Sequence, residues 1–395
     1  MKPSSSRSDG LFDGILARGG VPAAVSDDAW LAAMLSVEAA LALECASAGV
    51  IPAGAAAAIA TACSGVHIDP GQLGRDAAAH GSPVVPLVAA IRTALPDDVA
   101  THVHKGATSQ DVLDTAAMLV ARDALVVVLS DVDGATEAAA GLAAAHRDTP
   151  MIGRTLLQQA VPVTFGLTAA GWLAGLDAAA DGLRRLRPAV QLGGAAGTLS
   201  GLGAAGPAVV SGLASRLGLD APTLPWHTER SRVTELASAL GVAAGAIGKP
   251  ARDVTLLAQG EVGEVSEGSP GDSSAMAHKH NPVAAVSALA CAAQAPGLVA
   301  TLLAASVQEH QRGAGTWQAE WRPLRELLVA VGSAAAWLRA CLTGLVVHPD
   351  VMRATLDRAA AATDPLGSAG SFVDAALAAH AAHSAHTAPV VRRNA

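Results

Sequence analysis

Apolar side chains recur at helical spacing along most of this chain of 395 residues. Ser26 precedes an acidic turn and an apolar-periodic run that ends near Gly49 and Pro52, so this segment carries a start and a stop signal for a helix. Further periodic segments predict helices over residues 111–147, 163–187, 231–261, 282–308 and 324–345. No segment alternates convincingly with period two. The pattern predicts an all-α fold with a long central helical bundle.

The length of the chain and the breaks between its periodic segments predict three parts. They are an N-terminal helical domain with the first substrate loop, a central long-helix bundle, and a small, partly flexible C-terminal helical region, over residues 1–100, 101–345 and 346–395. In the last part, histidines recur every third residue from His380. No acidic or Cys residue accompanies them in the sequence, so a solvated tail is favoured over a metal site.

Composition and charge exclude several classes of protein. Hydrophobic residues make up 51% of the chain and charged residues 15%, which excludes disorder. A formal net charge of −8 without a local basic patch argues against a nucleic-acid partner. Four scattered cysteines without a C-x-x-C pair, and an N-terminal segment without the apolar core of a secretory signal, predict a cytoplasmic protein.

Three stretches lack Asp, Glu, Lys and Arg and are long enough to span a bilayer, over residues 155–176, 188–215 and 281–308. Their glutamines, prolines, glycines and alanines argue against membrane-spanning helices. A helix that is apolar all round can instead lie at the centre of a large soluble bundle. We therefore predict no membrane partner.

Two polar segments before helix starts are candidates for chemistry. Residues 260–282 place Ser273 and Lys279 in a Gly/Ser-rich loop, with Asn281 predicted as the N-cap of the next helix. A hydroxyl near a lysine and a helix N-terminus suits anion stabilisation, whereas the competing interpretation is a flexible linker. Residues 101–111 place His104 before a helix N-terminus that suits a carboxylate, and the alternative is a surface histidine beside an ordinary cap.

Two further segments carry polar groups in apolar surroundings. Arg154, Gln158 and Gln159 could bind a substrate or could form a structural network between helices. Arg312 offers a bidentate fork for a carboxylate, and its alternative role is a surface ion pair with Glu309 or Glu320. The four segments contain no nucleotide loop, zinc spacing or Ser-His-Asp order. They predict a reaction on a polycarboxylate that uses no cofactor and no metal.

The sequences SSAMAHKHNP (residues 273–282) and HKGATSQDVLDTA (residues 104–116) resemble two signature blocks of the fumarase/aspartase superfamily. GRTLLQQAVPVTFGLTAAGWL, VQLGGAAGTL and EHQRGAGTWQAEW are most similar to its bacterial cycloisomerase branch, which lactonises a small tricarboxylate. The similarity covers residues 11–345. It implies a homotetramer built around a many-helix core, in which blocks from three chains form each active site.

The resemblance also implies roles for individual residues. Ser273 matches the serine that handles the α-carbon proton, and His104 and Lys279 are the other expected catalytic residues. The expected substrate-binding residues are Ser82, Thr108, Ser109, Gln110, Arg154, Gln158, Gln159, Asn281 and Arg312.

The chain departs from the superfamily pattern at four positions. Asp272 and Ala277 replace the glycine and the proline of the signature loop. Leu156 stands where many superfamily lyases carry a catalytic histidine, and Gln159 stands where some cycloisomerases carry one. A second acid/base is therefore not identifiable. Lactonisation tolerates this absence, because an ionised carboxylate attacks and no leaving group needs a proton. An adenylosuccinate lyase-like or other fumarate-releasing lyase and a non-catalytic relative are the alternatives.

Overall fold

The computed structural model describes residues 10–276, 278–360 and 362–387. Ala277 and the residues from 388 onward, which enter the sequence predictions, lie outside the described residues. In chain order the helices are α1 (Asp13–Leu16), α2 (Val21–Ala24), α3 (Asp27–Ser47), α4 (Ala53–Gly65), α5 (Pro70–Ala77), α6 (Val84–Thr93), α7 (Asp97–Ala100), α8 (Ser109–Ala145), α9 (Phe165–Arg184), α10 (Gly206–Leu217), α11 (Ser231–Leu257), α12 (Val283–Ala292), α13 (Ala295–Ala304), α14 (Thr316–Thr343), α15 (Pro349–Asp357) and α16 (Ala369–Thr387). Two antiparallel pairs of strands join β1 (Pro150–Thr155) to β2 (Gln158–Thr164) and β3 (Val265–Glu267) to β4 (Leu345–Val347).

The long central helices confirm the predicted all-α bundle. α8 packs against α9 and α14, and α11 packs against α9, α12 and α14. The predicted start of α3 is confirmed, because Ser26 accepts the Ala29 N–H. At the start of α8, Thr108 forms a capping box with Asp111. With 37 residues, α8 is about 55 Å long.

The single helix predicted over residues 282–308 is wrong, since this segment forms α12 and α13. Pro296 lies in the first turn of α13, where its missing N–H is tolerated and where it cannot continue the preceding helix. Asn281 is not an N-cap. Pro282 occupies that position, and the backbone of Asn281 pairs instead with Gly271.

Residues 150–164 form a β-hairpin that the periodicity did not reveal. Its two-residue turn consists of Leu156 and Leu157, both with positive φ. Asn-Gly or Asp-Gly at such a turn announces a hairpin, whereas Leu-Leu resembles the interior of a helix. α9 begins only at Phe165, and Thr164 caps it by accepting the Leu167 N–H.

The C-terminal helix α16 packs against α9 and α8, which makes the predicted solvated tail wrong for His380. The His380 Nδ1 lies 3.1 Å from both carboxylate oxygens of Asp177, and its Nε2 lies 3.3 Å from Glu137. The acidic partners come from α8 and α9, far away in the sequence. One hydrophobic core draws residues from all three predicted parts of the chain, and the division at residues 100 and 345 stays a prediction.

Three described segments are long and apolar enough to cross a membrane when judged by length and composition alone. They are Val21–Ser47, Val283–Ala304 and Thr316–Thr343. Only the second coincides with a stretch singled out in the sequence, residues 281–308. In its most apolar window 33% of the residues are buried, so a single chain leaves much of this apolar surface uncovered.

Candidate active site

The start of α8 is fixed by the buried carboxylate of Asp111. One oxygen of this carboxylate accepts the Thr108 and Gly194 N–H groups at 2.9 Å. The other accepts the Gly193 N–H at 2.9 Å and lies 2.7 Å from the His227 Nε2. Two of these four contacts attach the start of α8 to a glycine turn some eighty residues later, the third holds the loop before α8, and the fourth joins His227.

Arg312 reaches the same place from the loop before α14. Its guanidinium donates to the Gln110 Oε1 at 2.9 Å and to the carbonyl oxygens of Gly194 and Ala195 at 3.3 and 2.8 Å. All three acceptors are neutral, and no described carboxylate pairs with Arg312. The two glutamates weighed in the sequence as its ion-pair partners are engaged elsewhere, Glu309 with the Ala314 N–H and Glu320 with Arg230. A half-buried cation without a counter-ion can bind an anionic ligand.

His104 lies in the loop that precedes α8, in a left-handed conformation with φ of 64°. Its Nδ1 is 2.6 Å from Oε1 of Glu38, a carboxylate with a fully buried side chain on α3. Burial lowers the pKa of the His104 imidazole, but the hydrogen bond and the charge of Glu38 outweigh burial and raise this pKa above its usual value.

Ser82 is also at this end of the bundle. It is 5% exposed, and its hydroxyl accepts the Val84 N–H near the start of α6. The neighbouring Gly81 carbonyl accepts from Gln318 on α14. We call this the histidine end, which comprises Ser82, His104, Thr108, Ser109, Gln110 and Arg312.

The remaining predicted site residues lie at the opposite end, which we call the serine end and which comprises Arg154, Gln158, Gln159, Ser273, Lys279 and Asn281. Arg154 on β1 forms a bidentate ion pair with the buried Glu264, at 2.7 and 2.8 Å. Gln158 and Gln159 are exposed on β2, where their backbones pair with Thr155 and Arg154. Arg154 thus neutralises a buried acid, and its role towards a substrate stays a prediction.

The loop that carries Ser273 is closed at its base by two backbone hydrogen bonds between Gly271 and Asn281, at 2.9 and 3.0 Å. The Ser273 hydroxyl accepts the Met276 N–H at 3.1 Å. Lys279 is exposed, and the Asn281 side chain donates to the Asp272 carbonyl at 3.4 Å. The loop therefore presents its polar groups outward from the chain.

The two ends are far apart within one chain. α8 begins at the histidine end and leads to the β1–β2 hairpin, so about 55 Å of helix separates His104 from Arg154. α11 begins beside the buried Arg230 and, after 27 residues, leads to Glu264, a helix length of about 40 Å. The structure brings the segment of His104 (residues 101–111) together with that of Arg312, and within one chain it does not bring them to the segments of Arg154 and Ser273.

Glu38, Asp111 and His227 are site residues that the sequence predictions missed. A lone glutamate inside the apolar run of α3 was a usable signal for Glu38, because a buried carboxylate needs a partner. Asp111 and His227 gave no comparable signal, since their contact depends on the packing of distant loops. Within the described residues, no group of three or more His, Cys, Asp or Glu side chains is arranged to hold a metal ion.

The chain is similar to known lyases and cycloisomerases in sequence and in fold. A family model described as "Lyase" matches residues 22–297. A 3-carboxy-cis,cis-muconate cycloisomerase of Bradyrhizobium diazoefficiens is 46% identical over 88% of this chain and 79% of that relative. A nitrosuccinate lyase of Streptomyces davaonensis is 44% identical over 88% of this chain and 77% of its own length. The crystal structure of the 3-carboxy-cis,cis-muconate lactonizing enzyme of Pseudomonas putida superposes with a TM-score of 0.88 and 34% identity, covering 95% of this chain and 99% of that one.

Proposed function

The chain belongs to the lyase family within the fumarase/aspartase superfamily, and we propose that it closes 3-carboxy-cis,cis-muconate to a lactone. The observation that carries the proposal is the turn at Leu156 and Leu157. These side chains are 96% and 72% exposed, and Leu156 stands at the position where the superfamily pattern carries a proton-donating histidine. A reaction without a leaving group that needs a proton fits such a turn.

The chemistry of lactonisation can be assigned to the chain's own groups. One substrate carboxylate oxygen forms a C–O bond to a carbon of the double bond, and the π electrons move to the adjacent carbon. The neighbouring carboxylate holds the developing charge until that carbon accepts a proton. Ser273 supplies this proton and regains one from solvent, Lys279 stabilises the charge, and Arg312 with His104 holds the remaining carboxylates.

Superfamily members are multimeric enzymes that act on small carboxylates, and we propose a homotetramer for this chain. The 40 to 55 Å estimated between the two ends, from helix lengths, supports sites shared between chains, because one copy can bring its serine end to the histidine end of another. The uncovered apolar surface of Val283–Ala304 supports a tetramer core made of these helices. The exposed leucines of the hairpin turn support a contact with a neighbouring copy.

Elimination from a nitrosuccinate is the second candidate function, and the same turn favours it. Nitrite leaves as a stable anion, so this elimination also needs no proton donor for the leaving group. The overall proton balances of the two reactions are opposite. Lactonisation converts a tricarboxylate into a dicarboxylate lactone and takes up one proton, whereas elimination of nitrite from a nitrosuccinate releases one.

The deciding experiment offers 3-carboxy-cis,cis-muconate, nitrosuccinate and adenylosuccinate separately to the purified protein in weak buffer. Absorbance and proton exchange are followed together. We expect loss of the muconate absorbance with uptake of one proton per turnover. Turnover of nitrosuccinate with proton release, and none of the muconate, would replace the proposal with the second candidate. Inactivity on all three substrates would contradict both.

A further inference from the structure

The side chains of Glu38 and His104 contact each other at the loop that precedes α8. The Glu38 side chain is 0% exposed and the His104 side chain 16% exposed. The Glu38 Oε1 lies 2.6 Å from the His104 Nδ1, and the Glu38 Oε2 is buried without a hydrogen-bond partner among the described residues. A carboxylate withdrawn from water in this way needs a compensating cation, because its desolvation is costly.

His104 is the group that can supply this charge. The nearby Arg92 donates to the Val103 carbonyl, and among the described residues no arginine or lysine pairs with Glu38. Burial raises the pKa of the Cys45 and Cys63 thiols to about 11 and about 12, so both stay neutral at physiological pH. His104 is therefore the described side chain that is placed to put a positive charge beside Glu38.

The geometry also fixes the direction of the ring. With Nδ1–H donated to Glu38, the His104 Nε2 is the nitrogen left for a ligand, and it makes no hydrogen bond within the described residues. The loop itself is firmly held, because Gly106 packs so closely on Leu202 that a Cβ there would lie 2.5 Å from that side chain. The carbonyl of Gly106 also lies beside Gly194, whose own carbonyl accepts from Arg312.

We propose that Glu38 is a positioning residue that holds His104 protonated, with Nε2–H directed at a carboxylate of the substrate. The proposal rests on the proposed function in one respect, the contact between His104 and the substrate. In this arrangement His104 donates a hydrogen bond to the substrate beside Arg312, and Ser273 transfers the proton to carbon.

The charges around the His104 imidazole influence its pKa, so the proposal can be tested by removing one of them. Glu38 and Asp111 raise the pKa of His104, whereas burial and the Arg92 guanidinium lower it. Replacing Glu38 by glutamine keeps the shape and removes the larger of the two raising charges. The imidazole of His104 should then titrate at a lower pH, because burial and Arg92 oppose Asp111 alone.

The first measurement is a proton and nitrogen NMR titration of His104 in the free tetramer, for the wild type, Glu38→Gln and Glu44→Gln. Glu44 is the matched control, since it lies on α3 and pairs with Arg216. We expect a lower midpoint in Glu38→Gln and an unchanged one in Glu44→Gln. If Glu38→Gln lowers the midpoint no further than Glu44→Gln, the proposal is overturned. Should Glu38→Gln fail to fold, a wild-type His104 that titrates at or below the exposed His278 overturns it equally.

The second measurement compares the kinetics of the same variants and of Glu38→Asp. We expect Glu38→Gln to lose activity about tenfold or more, with the basic limb of the pH profile moved to lower pH, and Glu38→Asp to recover part of the loss. A uniform loss with an unmoved pH profile would indicate a structural role and overturn the proposal. The titration uses no substrate, so inactivity on the muconate would contradict the proposed function alone.

Discussion

The two ends of the bundle differ in how firmly their polar groups are held. At the histidine end, the carboxylate of Asp111 has four hydrogen-bonding contacts, and Gln110 is buried between Arg312, Asp114 and the His227 carbonyl. At the serine end, Ser273 and Lys279 lie on a loop whose hydrogen bonds are confined to its own backbone and base.

The difference shows which half of the site a single chain can build. Buried polar groups must find partners within the fold, so the histidine end is already organised in one copy. A loop that closes on another copy has to keep its functional groups outward until assembly. The loop of Ser273 and Lys279 at the serine end has these features.

The largest expected effect comes from removing one functional group at each end. Ser273→Ala should lose about 10²–10⁴-fold in turnover, because it removes the proton donor of the reaction. His104→Ala removes a hydrogen-bond donor to a substrate carboxylate and should lose about 10²–10³-fold. After the two inactive variants are dissociated, mixed and reassociated, about one quarter of the sites should combine a wild-type His104 with a wild-type Ser273, by independent assortment of chains. The measurement is the activity that reappears on mixing.

Ser274→Ala is the matched control for the first variant, since it removes the adjacent hydroxyl of the same loop. It should stay within threefold of the wild type. If Ser273→Ala is equally active, the proton donor is misassigned. If confirmed mixed assemblies stay inactive, the two residues do not meet between chains.

The sequence predicted much of the fold because helices depend on local signals. The caps at Ser26 and Thr108 and the length of α8 follow from residues adjacent in the chain. The β1–β2 hairpin was not predicted, because Leu156 and Leu157 adopt positive φ without the glycine that usually indicates such a turn. Their conformation is held by the surrounding structure and is not encoded in local preference.

The sequence singled out several residues of the candidate site, but it did not single out Glu38, Asp111 or His227, and it did not predict how these residues are arranged. Arg312 and Gln110 were both expected to bind substrate, but their contact spans 202 positions of sequence and arises only from packing. The ion pair between Arg154 and Glu264 spans 110 positions, and Glu264 was not among the residues that the sequence singled out. Long-range contacts of this kind leave no periodic or local trace.

The next largest expected effect tests whether Arg312 binds substrate at the histidine end. Arg312→Lys keeps the positive charge and loses the planar fork that Gln110 and the carbonyls of Gly194 and Ala195 hold in place. We expect apparent substrate binding to weaken by about 1.5–3 kcal/mol, the value of a hydrogen bond to a charged group. Arg322→Lys, at an exposed arginine of α14, is the control and should leave the saturation curve unchanged. Equal curves for both variants would remove Arg312 from the binding site.

The smallest expected effect concerns stability and compares one aspartate at each end. Asp111→Asn replaces an acceptor oxygen by an NH₂ group that faces backbone N–H donors, so at least one buried donor loses its partner. The free energy of unfolding should fall by about 1–3 kcal/mol. Asp272→Asn makes the same chemical change on the exposed loop, where the carboxylate has no hydrogen bond to any described residue, and should stay within about 0.5 kcal/mol of the wild type. Denaturant unfolding at a fixed protein concentration measures both variants. Equal losses would mean that the histidine end is no better organised than the serine end, because the two substitutions differ only in the contacts that surround them.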